Sequence, residues 1–146
     1  MKLILILAII LGAAICQEST ANEQCYTAMQ AVVKPLNDVI AARKAKNEQL
    51  EFSTLKSSSE VLNTCIATCN SIVDSKDFKS FADGIKEKGA ECLRGVYDSI
   101  FLAASGRDLL EIKDWQNYFS TMDYLTQKWK SLNNGACSQF FSKKSK

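Results

Sequence analysis

The chain of 146 residues carries 18 basic and 16 acidic side chains, six cysteines and no histidine. A formal net charge of +2 provides neither a basic surface for nucleic acid nor a strong attraction to anionic lipid. Without histidine, the Ser-His-Asp and Cys-His catalytic pairs are excluded, and the usual zinc ligand is missing. We therefore expect a non-enzymatic protein that uses no cofactor and binds no metal.

Two kinds of alternative chemistry remain. Glu87 with Glu91, and Asp108 with Glu111, are carboxylate pairs at helical spacing, but such pairs on polar faces are ordinarily solvated charges rather than an acid and a base. Four cysteines could hold zinc, yet cysteines spaced along helix faces in a secreted chain favour disulfides. Both alternatives are weaker than the non-enzymatic interpretation.

The N-terminus has the pattern of a secretory signal peptide, which we assign to residues 1–16. One lysine precedes an apolar run over residues 3–15, and this run is shorter than the roughly 20 residues that span a bilayer. Cleavage is predicted after Cys16, with Ala14 and Ala21 as alternative sites. Two other interpretations are a lipoprotein signal with lipidated Cys16 and an uncleaved membrane anchor.

Cleavage would leave one domain, residues 17–142, followed by a basic disordered tail over residues 143–146. We expect this protein to be secreted and extracellular, without stable insertion into a membrane. Its net charge would be about +1, because one lysine leaves with the signal peptide.

Helical spacing of apolar residues dominates the mature region, and strand signals are missing. This pattern predicts an all-α bundle of about four helices, with the first kinked or split at Pro35. A connection is expected over residues 52–59, and a stop at Ser105-Gly106-Arg107. The predicted helices cover residues 23–51, 58–73, 78–104 and 109–132.

Cysteine positions suggest how disulfides would join these helices. Cys65 and Cys69 lie one turn apart on one helix face, so both thiols point toward the same neighbours. Antiparallel helices joined by short turns would place Cys69 near Cys25, and Cys65 near Cys92. We therefore predict the disulfides Cys25–Cys69 and Cys65–Cys92. Cys137 would then be free or would link two chains as a dimer, unless Cys16 is retained as its partner.

The fourth predicted helix carries a stripe of large apolar residues, among them Trp115, Phe119, Met122 and Trp129. Core packing is one interpretation of this stripe. The other is a pocket between helices, lined by aromatic and methionine side chains, for a small hydrophobic ligand. Two functional hypotheses follow: a binding or effector protein for an unknown extracellular protein, or a carrier of a small hydrophobic ligand. A carrier needs an enclosed apolar cavity, whereas a binding protein needs a filled core and an exposed apolar patch.

Overall fold

A computed structural model describes residues 20–135 and Cys137 of the chain. These residues form six helices and no strand, so the all-α class is confirmed, with six helices rather than about four. The predicted signal peptide, with Cys16, and the predicted tail lie outside the described residues. The helices are α1 Ala21–Lys44, α2 Glu48–Ser57, α3 Ser59–Cys69, α4 Lys76–Ile85, α5 Gly89–Glu111 and α6 Trp115–Asn134.

The first predicted helix is divided, but not at Pro35. α1 begins with Thr20, whose hydroxyl accepts the backbone N–H of Glu23 at 3.1 Å, and it continues through the proline to Lys44. The chain then turns at Lys46, which has a φ of 57°. A split at Pro35 is therefore wrong, because the helix ends nine residues later, before a left-handed turn. The predicted connection over residues 52–59 is helical as well, since most of it belongs to α2.

The third predicted helix is divided too, at a turn where Lys88 has a φ of 61°. The expected stop at Ser105-Gly106-Arg107 is wrong, because α5 runs through these residues. The chain turns instead at Lys113, with a φ of 60°, and α6 begins after Asp114. Asp114 caps α6, since its carboxylate accepts the backbone N–H of Asn117 at 3.3 Å.

All six helices contribute side chains to one filled core. α5 and α6 form the most extensive helix pair. Two glycines of α5 allow close contact between them: a Cβ at Gly95 would collide with Leu132, and one at Gly106 would lie 2.5 Å from the Met122 sulfur. The largest fully buried side chains are Tyr118, Phe78, Met29, Leu36, Leu55, Leu62, Leu93, Ile100, Met122, Leu125, Val32 and Val39.

Two intramolecular disulfides tie the bundle together. Cys25–Cys69 joins the start of α1 to the end of α3, as the sequence predicts. The second bridge is Cys92–Cys137, which joins the first turn of α5 to the chain beyond α6. Each bridge closes a loop of some 45 residues, which corresponds to about 4 kcal/mol in the chain-entropy description.

The predicted Cys65–Cys92 bridge is therefore wrong, and so is the assignment of Cys137 as a free or intermolecular thiol. The prediction assumed one continuous helix after the turn near Ser75, and it matched Cys65 with the residue at about the same distance beyond that turn. The break between α4 and α5 removes that register, and the antiparallel α5–α6 pair brings Cys92 to Cys137 instead. Of the five cysteines in the described ranges, Cys65 is the one with a free thiol, and it is fully buried.

Candidate functional site

The four residues of the predicted pocket do not line one site. Met122 is buried against α5, and Trp129 is buried near the far end of α6. Trp115 lies in the first turn of α6, where 41% of its surface is exposed. Fourteen residues separate the two tryptophans, which corresponds to about 21 Å along a helix. Phe119 is half-buried one turn after Trp115.

The inward face of α6 differs from the predicted stripe at its beginning. The buried residues are Tyr118, Met122, Leu125 and Trp129, a repeat of three and four that defines one helix face. Trp115 and Phe119 were predicted to point inward, but Tyr118 takes the inward position at this end. The aromatic residues beside it are left at the surface.

Trp115 belongs to a stack of three aromatic side chains, which we call the aromatic surface: Phe52, Trp115 and Phe119. The Trp115 ring stacks on Phe52 with centroids 5.6 Å apart, and on Phe119 at 6.2 Å. Phe52 comes from α2, so the stack bridges two helices. Such aromatic pairs stabilise by about 0.5–1.5 kcal/mol beyond the area that they bury. The aromatic surface is therefore ordered although Trp115 is largely exposed.

Ile112 extends the apolar character of this end of the molecule. It lies in the turn before α6, three residues ahead of Trp115, and 72% of its surface is exposed. No other large apolar side chain among the described residues is exposed to that extent. An isoleucine at this exposure gains little hydrophobic burial from the fold.

A buried polar network holds the aromatic surface from below. The Tyr118 hydroxyl donates to the carboxylate of Glu51, which is 3% exposed. Arg43 donates to the same carboxylate at 2.9 Å and also contacts Asp123. Burial is tolerable for Glu51 because its charge is paired and hydrogen-bonded. The network fixes α2 against α1 and α6, and thereby sets the position of Phe52.

The network offers no reactive group. Burial raises the pKa of Tyr118 above its usual range, and the hydrogen bond to the Glu51 carboxylate raises this pKa further. The phenol therefore stays neutral and serves as a donor, not as a base or nucleophile. Among the described residues, no buried side-chain polar atom lacks a hydrogen-bond partner.

Cys65 is equally unreactive in the folded state. Burial raises the pKa of its thiol to about 12, so the thiolate that would act as a nucleophile is not formed near neutral pH. Its place in the core, with complete burial, is that of a small apolar side chain.

A polar depression of about 530 Å³ lies beside Arg107 on α5. The guanidinium donates to the Asn63 side-chain oxygen at 2.9 Å and to the Ser59 carbonyl at 3.3 Å. It also pairs with Asp108 at 3.0 Å. These bonds join α5 to α3, so Arg107 has a structural role. Its ion pair with Asp108 does not arrange Asp108 and Glu111 as an acid and a base.

Sequence reasoning missed Arg43, Glu51 and Phe52, which were assigned to a polar helix end and a connection. One signal was present: Glu51 precedes the apolar Leu55 by four residues, which places both on one helix face. Its partner Tyr118, however, lies 67 residues away and no local pattern connects them.

Among residues 20–135 and Cys137, no cluster of three or more acidic, cysteine or histidine side chains could hold a metal ion. None of the six helices there combines the length and the hydrophobicity of a membrane span. Comparisons with protein-family models, with curated proteins and with solved structures found no match for this chain.

Proposed function

We propose that this chain is a secreted, non-enzymatic binding protein that contacts another extracellular macromolecule through the aromatic surface. The observation that carries the proposal is the stack of Phe52, Trp115 and Phe119, with Trp115 41% exposed above a filled core. Interfaces between proteins are enriched in aromatic side chains, and tryptophan is common among the residues that dominate binding energy.

Rigidity of the aromatic surface also supports the proposal. Phe52 is fixed by the stack and by the network of Glu51, Arg43 and Tyr118 directly beneath it. A surface that is ordered before binding loses less conformational entropy when the partner arrives. Ile112 would add apolar area beside it.

Secretion is supported by the two disulfides, which form and persist in oxidising compartments. The N-terminal pattern of residues 1–16 is consistent with the same destination. A carrier of a small ligand inside the predicted pocket receives less support, because Met122 and Trp129 are already packed in the core.

Site-specific photocrosslinking tests the proposal. A photoreactive phenylalanine derivative would replace Trp115 in one variant and Tyr124 in another, and each protein would be exposed to extracellular fluid and cell surfaces of the source organism. Tyr124 is a matched control because it lies on the same helix, is 59% exposed and stands outside the aromatic stack. We expect one discrete adduct from position 115 and none from position 124. Equal labelling from both positions, or none from either, would contradict the proposal.

A further inference from the structure

A second surface feature lies between α1 and the end of α6, away from the aromatic surface. It is an open groove of about 620 Å³, a volume within the range of roughly 300–1,000 Å³ that is common for ligand sites. The residues that line it are Asn37, Ile40, Ala41, Arg43, Lys44, Thr126, Trp129, Lys130, Asn133 and Asn134.

The floor of the groove is apolar and preformed. Ile40 and Ala41 supply aliphatic surface from α1, and the nearly buried Trp129 lines the groove from α6. The indole is held in place because its N–H donates to the Asn37 side-chain oxygen at 2.7 Å. The Asn133 side chain in turn donates to the Trp129 carbonyl at 3.1 Å. A ligand would therefore find the apolar floor already ordered.

Positive charge at the rim is not balanced. Arg43 is neutralised by Glu51 and Asp123. Lys44 and Lys130 form no ion pair with any residue in the described ranges, and the groove lining contains no carboxylate. Within the described part of the chain, two ammonium groups therefore stand at the edge of an apolar floor without a paired anion.

We propose that this groove binds a fatty acid, with the hydrocarbon chain along Ile40, Ala41 and Trp129 and the carboxylate at Lys44 and Lys130. Charge complementarity selects an anionic head, and the apolar floor selects an aliphatic tail. An acidic peptide fits less well, because the floor residues lie inside helices whose backbone N–H groups are already bonded. The inference does not depend on the partner of the aromatic surface.

Calorimetric titration with decanoate and with decan-1-ol separates the two contributions. We expect the full chain to bind one decanoate, and to bind it more tightly than the alcohol. In the double variant K44Q/K130Q, the affinity for decanoate should fall by about fivefold for each lysine, the scale of an exposed ion pair, while the affinity for the alcohol stays the same. The variant K76Q/K79Q is the matched control, because it removes two exposed lysines from α4 and should change neither affinity.

Filling the floor tests the apolar half of the site. Ala41→Trp places a large side chain on an exposed position of the groove and should weaken both ligands, whereas Ala31→Trp, on an exposed position of α1 outside the groove, should weaken neither. Unchanged thermal unfolding would show that both variants fold. Equal affinity for acid and alcohol, binding of several molecules without saturation, or tighter binding of hexaglutamate than of decanoate would each overturn the inference.

Discussion

The two ends of α6 each carry a tryptophan, yet the molecule uses them differently. Trp129 is 3% exposed and donates its indole N–H to Asn37 of α1, while Trp115 is 41% exposed and stacks on Phe52 of α2. Both lie on what the sequence pattern presents as one apolar stripe. The difference shows that the burial of a residue on α6 depends on whether its side of the helix faces the neighbouring helices, and not on the residue type alone.

The physical origin of the difference is the packing around each end. The C-terminal end is clamped by the Cys92–Cys137 disulfide and by close contact of Leu132 with Gly95. At the N-terminal end, the inward position is taken by Tyr118, whose hydroxyl reaches the buried Glu51. Trp115 is thereby displaced to the surface, where it is partly exposed.

Truncation of the two tryptophans should give the largest contrast. Trp129→Ala should lower the free energy of unfolding by about 3–5 kcal/mol, because it leaves a cavity in the core. Trp115→Ala should lower it by less, about 1–3 kcal/mol, the scale of the two aromatic pairs that it removes at a partly exposed position. Urea denaturation with both disulfides intact measures the two values. Similar losses of unfolding free energy in both variants would show that the two tryptophans do not differ in burial.

Removal of the clamp at the C-terminal end should have the next largest effect. The double variant C92S/C137S should lose about 2–4 kcal/mol, since the cross-link no longer restricts the unfolded chain. The far-ultraviolet circular dichroism should remain helical, because the core does not depend on the bridge. A stable protein with no change in the urea midpoint would contradict the assigned pairing, and peptide mapping of unreduced protein checks it independently.

Removal of the Tyr118 hydroxyl tests the packing at the N-terminal end of α6, as removal of the disulfide does at the C-terminal end. Tyr118→Phe should cost about 1–3 kcal/mol, because the buried Glu51 carboxylate loses a donor. Tyr124→Phe removes the same atom from an exposed residue on the same helix and should change stability by less than about 0.5 kcal/mol. Equal losses of stability in the two variants would contradict a stabilising role for the hydrogen bond between Tyr118 and Glu51.

The buried thiol of Cys65 makes stability dependent on alkaline pH. Its pKa rises from an ordinary value of 9.0 to about 12 in the folded state, so above pH 9 the unfolded chain releases a proton that the folded chain retains. The contribution of Cys65 to the unfolding free energy should therefore be constant below pH 9 and fall by up to about 1.4 kcal/mol per pH unit between pH 9 and pH 12. Tyr118, whose pKa burial also raises, adds a further fall above pH 10.

The variant C65A should show a flatter dependence between pH 8 and pH 10 in urea denaturation. The disulfide pattern of each sample would be checked by mass spectrometry afterwards, since thiolate in unfolded chains exchanges with disulfides. Identical slopes for C65A and for the unmodified protein would argue against a buried thiol at this position.

The sequence allowed the helical class and the Cys25–Cys69 bridge to be predicted, because helical spacing and a short turn determine both. The helix boundaries could not be predicted in the same way. The first helix was expected to break at Pro35 and the third to stop at Ser105-Gly106-Arg107, but the chain turns at Lys46, Lys88 and Lys113, each with a positive φ. Meanwhile Gly95 and Gly106 lie inside α5 and serve close packing.

The candidate site was predictable only in part. Trp115 and Phe119 were identified from helical spacing, but their exposure was not, because it depends on the phase that Asp114 sets at the start of α6. Glu51 was expected at the end of the first predicted helix, and Phe52 at the start of the connection that follows it. Their roles depend on contacts across 63 or more residues, which one sequence does not encode as a readable pattern.

The difference between the two ends of α6 is tested most directly by quenching the fluorescence of single-tryptophan proteins with acrylamide. In the variant W129F, the remaining Trp115 should emit at long wavelength and be quenched readily. In the variant W115F, the remaining Trp129 should emit at shorter wavelength and be protected several-fold. Equal quenching of the two would contradict the conclusion that this helix exposes one tryptophan and buries the other in the core.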